Sequence, residues 1–171
     1  MCAPLLSRLC LAAGVPAAIL LAGMATDPSA PEVEGSAPLA VVVHKSCTAE
    51  VLSVVDLRRM LTGDLRAWPD KRPVVLIQEP ERSDAQRRML RILLRTTSEG
   101  YRKQLLAVQF QGKELPLIKT LNSDDTAIKF VWNLPGAISI VNAAAAAAAS
   151  EHVRILRIDG KLPGEPGYLL Q

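Results

Sequence analysis

Short apolar runs alternate with amphipathic helical segments over most of this 171-residue sequence. Several of the runs are rich in valine and isoleucine, which is typical of strands buried on both faces. The predicted strands are LAVVVHK (39–45), VVLIQ (74–78), ELPLIKTL (114–121), AISIV (137–141) and VRILRI (153–158). Pro116 limits the third of them to an edge position or to a start after the proline. The alternation predicts an α/β fold: a mixed sheet of about five strands with helices on both faces.

Capping residues and helical spacing predict where the helices between these strands begin and end. The first helix lies in SVVDLRRMLTG, where Ser53 and Asp56 have capping-box spacing and Gly63 is a stop signal. The others are predicted at 84–95, at 98–110 and in SDDTAIKFVWNLPG (123–136). On the helix at 98–110, one buried face is predicted to hold Tyr101, Leu105, Val108 and Phe110.

Seven consecutive alanines follow Asn142. Alanine has the highest helix propensity but offers little apolar area to bury. We therefore predict a solvent-facing helical connector capped by Asn142, and a low-complexity connector is the alternative.

The first 25 residues have the features of a secretory signal peptide. One charge, Arg8, precedes an apolar run that ends in small residues near Ala25. A retained N-terminal anchor is the alternative, since the run reaches the short limit for a membrane span of about 17 residues. Residues 26–38, rich in proline, alanine, serine and acids, are predicted to be a disordered leader before a domain at 39–171.

Charge and cysteine content restrict the function of the mature chain. Cleavage after residue 25 would remove Arg8 and no acid, leaving 19 basic and 17 acidic residues, a balance that argues against nucleic acid as a partner. It would also remove Cys2 and Cys10, so that Cys47 alone remains and no internal disulfide can form.

Six segments, in this order, resemble the phosphate-type periplasmic substrate-binding proteins of transport systems, in particular their small single-lobe relatives. They are VVVHKS, VVDLRRMLTGDLRAWPD, RPVVLIQEPERSD, VQFQGKELP, SDDTAIKFVWNLPGAISIV and VRILRIDGKLPGEPGY. The resemblance covers residues 39–171, and TGDLRAW and NLPGAISIV are its most specific motifs. It implies one lobe of a type II periplasmic-binding-protein-like fold, an exported protein that is periplasmic or secreted, and phosphate or another small anion as a ligand.

The same resemblance implies a ligand site around Arg82, Ser83 and Asp84. The second lobe of the full-length family grips phosphate with an Arg-x-x-x-Ser-Gly-Thr stretch at a helix start, where backbone amides and the helix dipole favour an anion. Aligned on Ser83, this sequence has Glu79 in place of the arginine, and Asp84 and Ala85 in place of Gly-Thr. Because carboxylates repel an anion, and because one lobe cannot enclose a small ligand, phosphate binding by this chain alone is expected to be weak or absent.

A structural role explains Ser83 as well. Ser83 and Gln86 have capping-box spacing, and Asp84 is an acid in the first helical turn, where the dipole favours it. We favour this cap over a ligand site.

Four arginines on the same predicted helix suggest a second hypothesis. Arg87, Arg91 and Arg95 recur every four residues, with Arg88 beside them. They form either a solvated helix face or a docking surface for a membrane-bound or periplasmic protein, or for lipid headgroups. The alternative function is therefore an interaction module that has lost ligand binding and uses this basic helix face.

The remaining polar residues predict neither catalysis nor a metal site. His44 and Cys47 form an H-x-x-C pair, but a zinc site needs four ligands and His152 is the one other histidine. Asp124 and Asp125 are adjacent, point about 100° apart on a helix, and are interpreted as capping acids. We expect no cofactor, no metal and no enzymatic activity.

Overall fold

A computed structural model describes residues 37–171, which contain seven strands and five helices. The strands are β1 (Leu39–His44), β2 (Val51–Leu52), β3 (Val75–Gln78), β4 (Leu117–Thr120), β5 (Ala137–Asn142), β6 (Val153–Ile155) and β7 (Arg157–Ile158). The helices are α1 (Val54–Thr62), α2 (Asp84–Leu94), α3 (Ser98–Phe110), α4 (Asp124–Asn133) and α5 (Ala143–Ala148). None of the helices in this range is long and apolar enough to cross a membrane.

Five strands form one mixed sheet in the order β4-β3-β5-β1-β6. β3 runs parallel to β4 and β5, whereas β1 runs antiparallel to β5 and β6. β4 is an edge strand that starts just after Pro116, as predicted, because the proline cannot join the ladder. β2 and β7 form a separate parallel pair.

Apolar residues of β1 alternate between two cores, one on each face of the sheet. Leu39, Val41 and Val43 pack with the apolar stripes of α1 and α2, and Tyr101 of α3 joins them. Ala40 and Val42 pack on the other face with α4 and α5. The predicted α/β class, with a mixed five-stranded sheet between helices, is confirmed.

Local capping chemistry sets the limits of several helices. Ser53 accepts a hydrogen bond from the amide of Asp56 at 3.0 Å, and Gly63 ends α1 in the left-handed conformation with φ 84°. Asn142 caps α5 through the amide of Ala144 at 3.0 Å. These caps are predicted from sequence because each depends on residues that lie within one turn.

Three predictions about local structure are wrong. The alanine helix α5 does not merely face solvent: Ala146 is fully buried, because a small side chain lets the helix approach the sheet closely. Phe110 is 89% exposed, since nine residues at 100° each place it opposite Tyr101. VRILRI forms two strands rather than one: β6 pairs with β1 and β7 with β2, with Leu156 between them.

The predicted signal peptide and nearly all of the predicted leader lie outside the described residues. Ala37 and Pro38 belong to no helix or strand, and β1 begins at Leu39. The division into residues 1–25, 26–38 and 39–171 stays a prediction.

Candidate ligand site at the start of helix α2

The start of α2 is positioned by the carboxyl end of β3, an interior strand. β3 ends at Gln78, and the residues from Glu79 to Arg82 make the turn into the helix. The amide of Ser83 donates to the carbonyl of Pro80 at 2.9 Å, which closes this turn. The fold therefore brings the predicted residues 82–84 to the strand end, where α/β proteins commonly bind ligands.

Ser83 is the N-cap of α2, and its hydroxyl is occupied within the protein. Its Oγ accepts from the amide of Gln86 at 3.4 Å and donates its proton to the carboxylate of Glu79. A hydroxyl has a single proton to donate. An anion could accept this hydroxyl proton only by displacing the Glu79 carboxylate from Ser83.

A second carboxylate, that of Asp124 in the first turn of α4, lies beside Glu79. Burial raises the pKa of Glu79, the hydrogen bond from Ser83 opposes this, and the neighbouring Asp124 raises it further. Asp124 Oδ2 accepts from the amide of Asn142 at 3.1 Å, while Oδ1 is buried with no hydrogen-bond partner among residues 37–171. The site thus concentrates negative charge.

Sequence reasoning identifies Asp124 as a capping acid and misses this pair. The two carboxylates are 45 positions apart in the sequence (79 and 124), so that no local spacing relates them. The signal that could have found them is topological: each follows one of two strands, β3 and β4, that run parallel and end at the same edge.

Arg82 and Asp84 both face solvent. Arg82 is exposed and forms no ion pair with another described residue. Asp84 forms an ion pair with Arg87, which lowers the pKa of its carboxyl group. The three predicted ligand residues lie consecutively at the helix start, but Ser83 is the one of them that contacts the Glu79–Asp124 pair.

A cleft of about 180 Å³ lies beside this helix start, between α2, α3 and the ends of β3 and β4. Its buried wall is a chain of three polar side chains. Gln86 Nε2 donates to Gln78 Oε1 at 3.2 Å, and Gln78 Nε2 donates to Tyr101 Oη at 3.2 Å. Tyr101 Oη in turn donates to the carbonyl of Leu61 at 2.8 Å, and burial raises the pKa of Tyr101. The wall is neutral and internally hydrogen-bonded.

This arrangement corrects one part of the predicted capping box. The amide of Gln86 binds the Ser83 hydroxyl as expected, but the Gln86 side chain reaches Gln78 rather than returning to the Ser83 amide. The amide of Ser83 is satisfied instead by Pro80. A tertiary partner thus replaces the local one.

Charges at the rim of the cleft do not favour an anion. Glu79 and Glu81 lie along it, and the one arginine in its lining, Arg102, is 3.5 Å from the carboxylate of Glu81. The cleft could accept a small polar molecule through amide groups, but offers no unpaired cation among its lining residues to hold a phosphate.

Two arginines of the predicted stripe, Arg87 and Arg91, lie within α2, and Arg95 is its C-cap residue. Arg87, Arg91 and Arg95 are exposed, while Arg88 is half-buried and donates from Nη2 to the carbonyl of Ala37. Arg95 caps the helix in the left-handed conformation, with φ 52° and ψ 38°. Three of the four arginines therefore present their charge to solvent.

The H-x-x-C pair has a structural environment. His44 Nδ1 lies 2.8 Å from the hydroxyl of Ser46, and Cys47 is buried in the core. Within the described part of the chain, no three His, Cys, Asp or Glu side chains are arranged to hold a metal ion.

A mixed sheet flanked by helices, with a cleft at the carboxyl ends of two parallel strands, is the arrangement of an α/β domain. A scan against models of known protein families gives no match for the sequence, and a search of curated proteins gives none either. Solved structures of phosphate-binding proteins, in contrast, share the fold.

PstS from Borrelia burgdorferi matches 78% of this chain and 54% of its own length, with a TM-score of 0.63 and 14% identity. An ABC-type phosphate transport receptor from Vibrio cholerae matches 74% and 48%, with a TM-score of 0.58 and 12% identity. A phosphate-binding protein from Stenotrophomonas maltophilia matches 74% and 40%, with a TM-score of 0.56 and 11% identity. The chain spans about half the length of these structures, and the fold resemblance inferred from sequence is confirmed.

Proposed function

We propose that this protein is an exported solute-binding-protein-like domain, related to the phosphate-binding proteins of ABC transporters, that binds phosphate weakly or not at all by itself. The fold shared with phosphate-binding proteins supports the first part of the proposal. The acidic helix start supports the second. The role is that of a binding domain rather than an enzyme, and the protein acts in the periplasm or after secretion.

The single observation on which this proposal depends is the contact between Glu79 and Ser83. The Ser83 hydroxyl could donate a hydrogen bond to an anion at this helix start, but the Glu79 carboxylate already accepts that hydrogen bond. The carboxylate of Asp124 lies behind, so that a phosphate would meet two negative groups in a partly dry site. Like charges at such short range, under reduced dielectric, cost several kcal/mol before any favourable contact is made.

Calorimetric titration of the purified protein with phosphate tests this directly. We expect no saturable heat below about 1 mM phosphate, which corresponds to a binding free energy weaker than about −4 kcal/mol. Micromolar affinity or better would contradict the proposal. A small panel of other anions, titrated in parallel, would show whether a different ligand is preferred.

A variant that restores the family pattern provides the positive control. Glu79→Arg with Asp84→Gly and Ala85→Thr should bind phosphate measurably better than the wild-type protein. Glu99→Arg combined with Glu151→Gln makes the same total charge change of +3 at exposed positions away from the helix start, and should not. If the restored variant and the Glu99 control bind equally, general charge rather than the helix start governs affinity.

Export is tested at the N-terminus. We propose that residues 1–25 direct export and are either cleaved near Ala25 or retained as an anchor. Intact mass measurement of the protein recovered from the cell envelope and from the medium distinguishes the two. Recovery of the full-length protein from the cytosol alone would contradict export.

A second candidate function is a protein-interaction module that has lost ligand binding and uses the basic face of α2. The exposure of Arg87, Arg91 and Arg95 on one side of the helix favours it. Reversing Arg87 and Arg91 to glutamate should abolish recruitment of a periplasmic or membrane-bound partner in cross-linking experiments. Under the first proposal the same variant should leave cross-linking unchanged.

A further inference from the structure

A groove of about 630 Å³ runs along α1 from Val55 to Thr62 and past the C-terminal end of α2. Its apolar lining, here called the floor, consists of Leu93 and Leu94 of α2 and Val55 of α1: Leu93 is buried, Leu94 is half-buried and Val55 is 62% exposed. Its cationic lining, here called the walls, consists of Arg58 and Arg59 of α1 and Arg95 at the end of α2. Apolar side chains beside arginines in a groove are suited to an amphipathic helix with acidic flanks.

Arg58 is held in place at the wall. Its Nε donates to the carbonyl of Leu93 at 2.6 Å, which ties α1 to the last turn of α2. Neither Arg58 nor Arg95 forms an ion pair with another residue in the range 37–171, whereas Arg59 is 3.2 Å from Asp56. The side chains of these two arginines are thus available to an external carboxylate, and that of Arg58 is already ordered.

The backbone at Arg95 supports a functional role for its side chain. With φ 52°, Arg95 occupies a left-handed position that glycine adopts at lower cost. Strained non-glycine positions of this kind cluster at ligand-binding and switch regions. Here the side chain completes the cationic wall of the groove.

We propose that this groove docks an acidic amphipathic segment of a protein partner. Charge complementarity identifies the occupant: three arginines and one acid, Asp64, line the groove, so that carboxylates on the flanks of a segment would meet the walls. The apolar floor requires that the same segment present apolar residues at helical spacing. Since α1 has 9 residues and rises about 13 Å, the segment would be about ten residues long.

A protein segment fits this surface better than a membrane does. Binding to a bilayer needs apolar side chains that protrude from a convex face, with cations around them. Here Val55 is the one largely exposed apolar residue of the groove, while Leu93 is buried and Leu94 is half-buried. The inference deepens the second candidate function, on which it rests, by moving the docking surface from the arginine stripe to the α1–α2 groove.

The test is a fluorescence-anisotropy titration of the purified full-length protein with a labelled twelve-residue peptide. The peptide has leucines at positions i, i+3, i+4 and i+7 and glutamates on its flanks. We expect micromolar binding that weakens as salt is raised from 50 to 300 mM. A peptide with lysine in place of glutamate, and an oligoglutamate of equal charge without leucines, should each bind at least tenfold more weakly.

Two variants locate the binding surface. Val55→Asp combined with Arg95→Glu, which changes the floor and one wall, should reduce affinity at least tenfold. Arg87→Glu, on the same helix but outside the groove, should change it less than threefold. Thermal unfolding of each variant shows whether the fold is intact, and Arg95→Glu alone serves if the double variant is unstable.

Each other outcome has a defined meaning. Equal loss from the two variants, or binding of the oligoglutamate as tight as that of the amphipathic peptide, overturns the groove but leaves the arginine-stripe function standing. Absence of binding to any acidic peptide overturns both. Binding to vesicles with anionic phospholipid that is lost in the groove variant overturns the assignment of a protein partner.

Discussion

Replacing Tyr101 by phenylalanine should destabilise the domain by about 2 kcal/mol. Tyr101 is 5% exposed, and its hydroxyl both accepts from Gln78 Nε2 and donates to the carbonyl of Leu61. Leu61 lies in the last turn of α1, where helix carbonyls have no partner within the helix. The variant therefore leaves two buried polar groups unsatisfied.

The magnitude follows from the fate of these two groups. A buried group that loses its partner costs about 1–3 kcal/mol. Gln78 lines the 180 Å³ cleft, where water can replace the lost acceptor, so that most of the cost arises at Leu61. About 2 kcal/mol corresponds to a midpoint for thermal unfolding lower by roughly 6–8 °C for a domain of this size.

Tyr168 provides a matched control for the same chemical change. Its hydroxyl is buried without a hydrogen-bond partner among the described residues, and burial raises its pKa. Tyr168→Phe removes an unsatisfied group and should leave stability unchanged or raise it by up to about 1 kcal/mol. The two variants thus differ in sign although each loses one oxygen.

Urea denaturation followed by circular dichroism measures both free energies of unfolding with the wild-type protein as reference. The reasoning is refuted if Tyr101→Phe costs less than about 0.5 kcal/mol, or if Tyr168→Phe costs as much as Tyr101→Phe.

Three further predictions concern individual backbone and charge environments. Arg95→Gly should stabilise the domain by about 1 kcal/mol in urea denaturation, because glycine relieves the left-handed strain; an equal gain from Arg95→Ala would contradict this. Glu79→Gln should stabilise the protein at pH 7 and make no difference below about pH 4. The pKa of Glu79 is raised in the folded protein, so that the wild-type protein loses stability as the pH rises above the pKa of this group in the unfolded chain, whereas glutamine imitates the protonated form at every pH. Free energies of unfolding for the two proteins that change in parallel with pH would refute this prediction. Gly136→Ala should cost more than about 2 kcal/mol, since its Cβ would lie 2.5 Å from the carbonyl of Pro73, whereas Gly160→Ala, with a similar φ and no atom within 4 Å, should cost only about 1 kcal/mol.

The elements that sequence predicts well are those specified by adjacent residues. β1 is recognisable because both of its faces are buried, so that five apolar residues follow one another without a polar break. Ser53 and Gly63 limit α1 through contacts within one turn. Such signals need no knowledge of the rest of the chain.

Predictions fail where a distant partner decides the outcome. VRILRI carries one strand pattern, but Leu156 marks the point at which the chain passes from the β1 edge to β2. The spacing of Ser83 and Gln86 predicts a reciprocal cap. The side chain of Gln86 instead donates a hydrogen bond to Gln78, which lies at the end of β3. No local pattern carries this information.

The candidate site shows the same division. The position of Ser83 at a helix start, and the exposure of Arg87, Arg91 and Arg95, follow from spacing alone. The meeting of Glu79 with Asp124 depends on which strands are neighbours, and the groove between α1 and α2 depends on how two helices pack. The charges around a residue and the shape of a groove depend on tertiary packing, so that they cannot be inferred from local sequence patterns.

The interior position of β1 in the sheet affects when the domain can fold during synthesis. β1 comes first among the strands, yet its two neighbours in the sheet are β5 and β6, roughly 100 residues later. A nascent chain that has emerged only as far as residue 136 exposes an unpaired apolar segment and can complete neither core. Both faces of the sheet can close only after residue 155 has emerged, because β1 takes its second neighbour from Val153–Ile155.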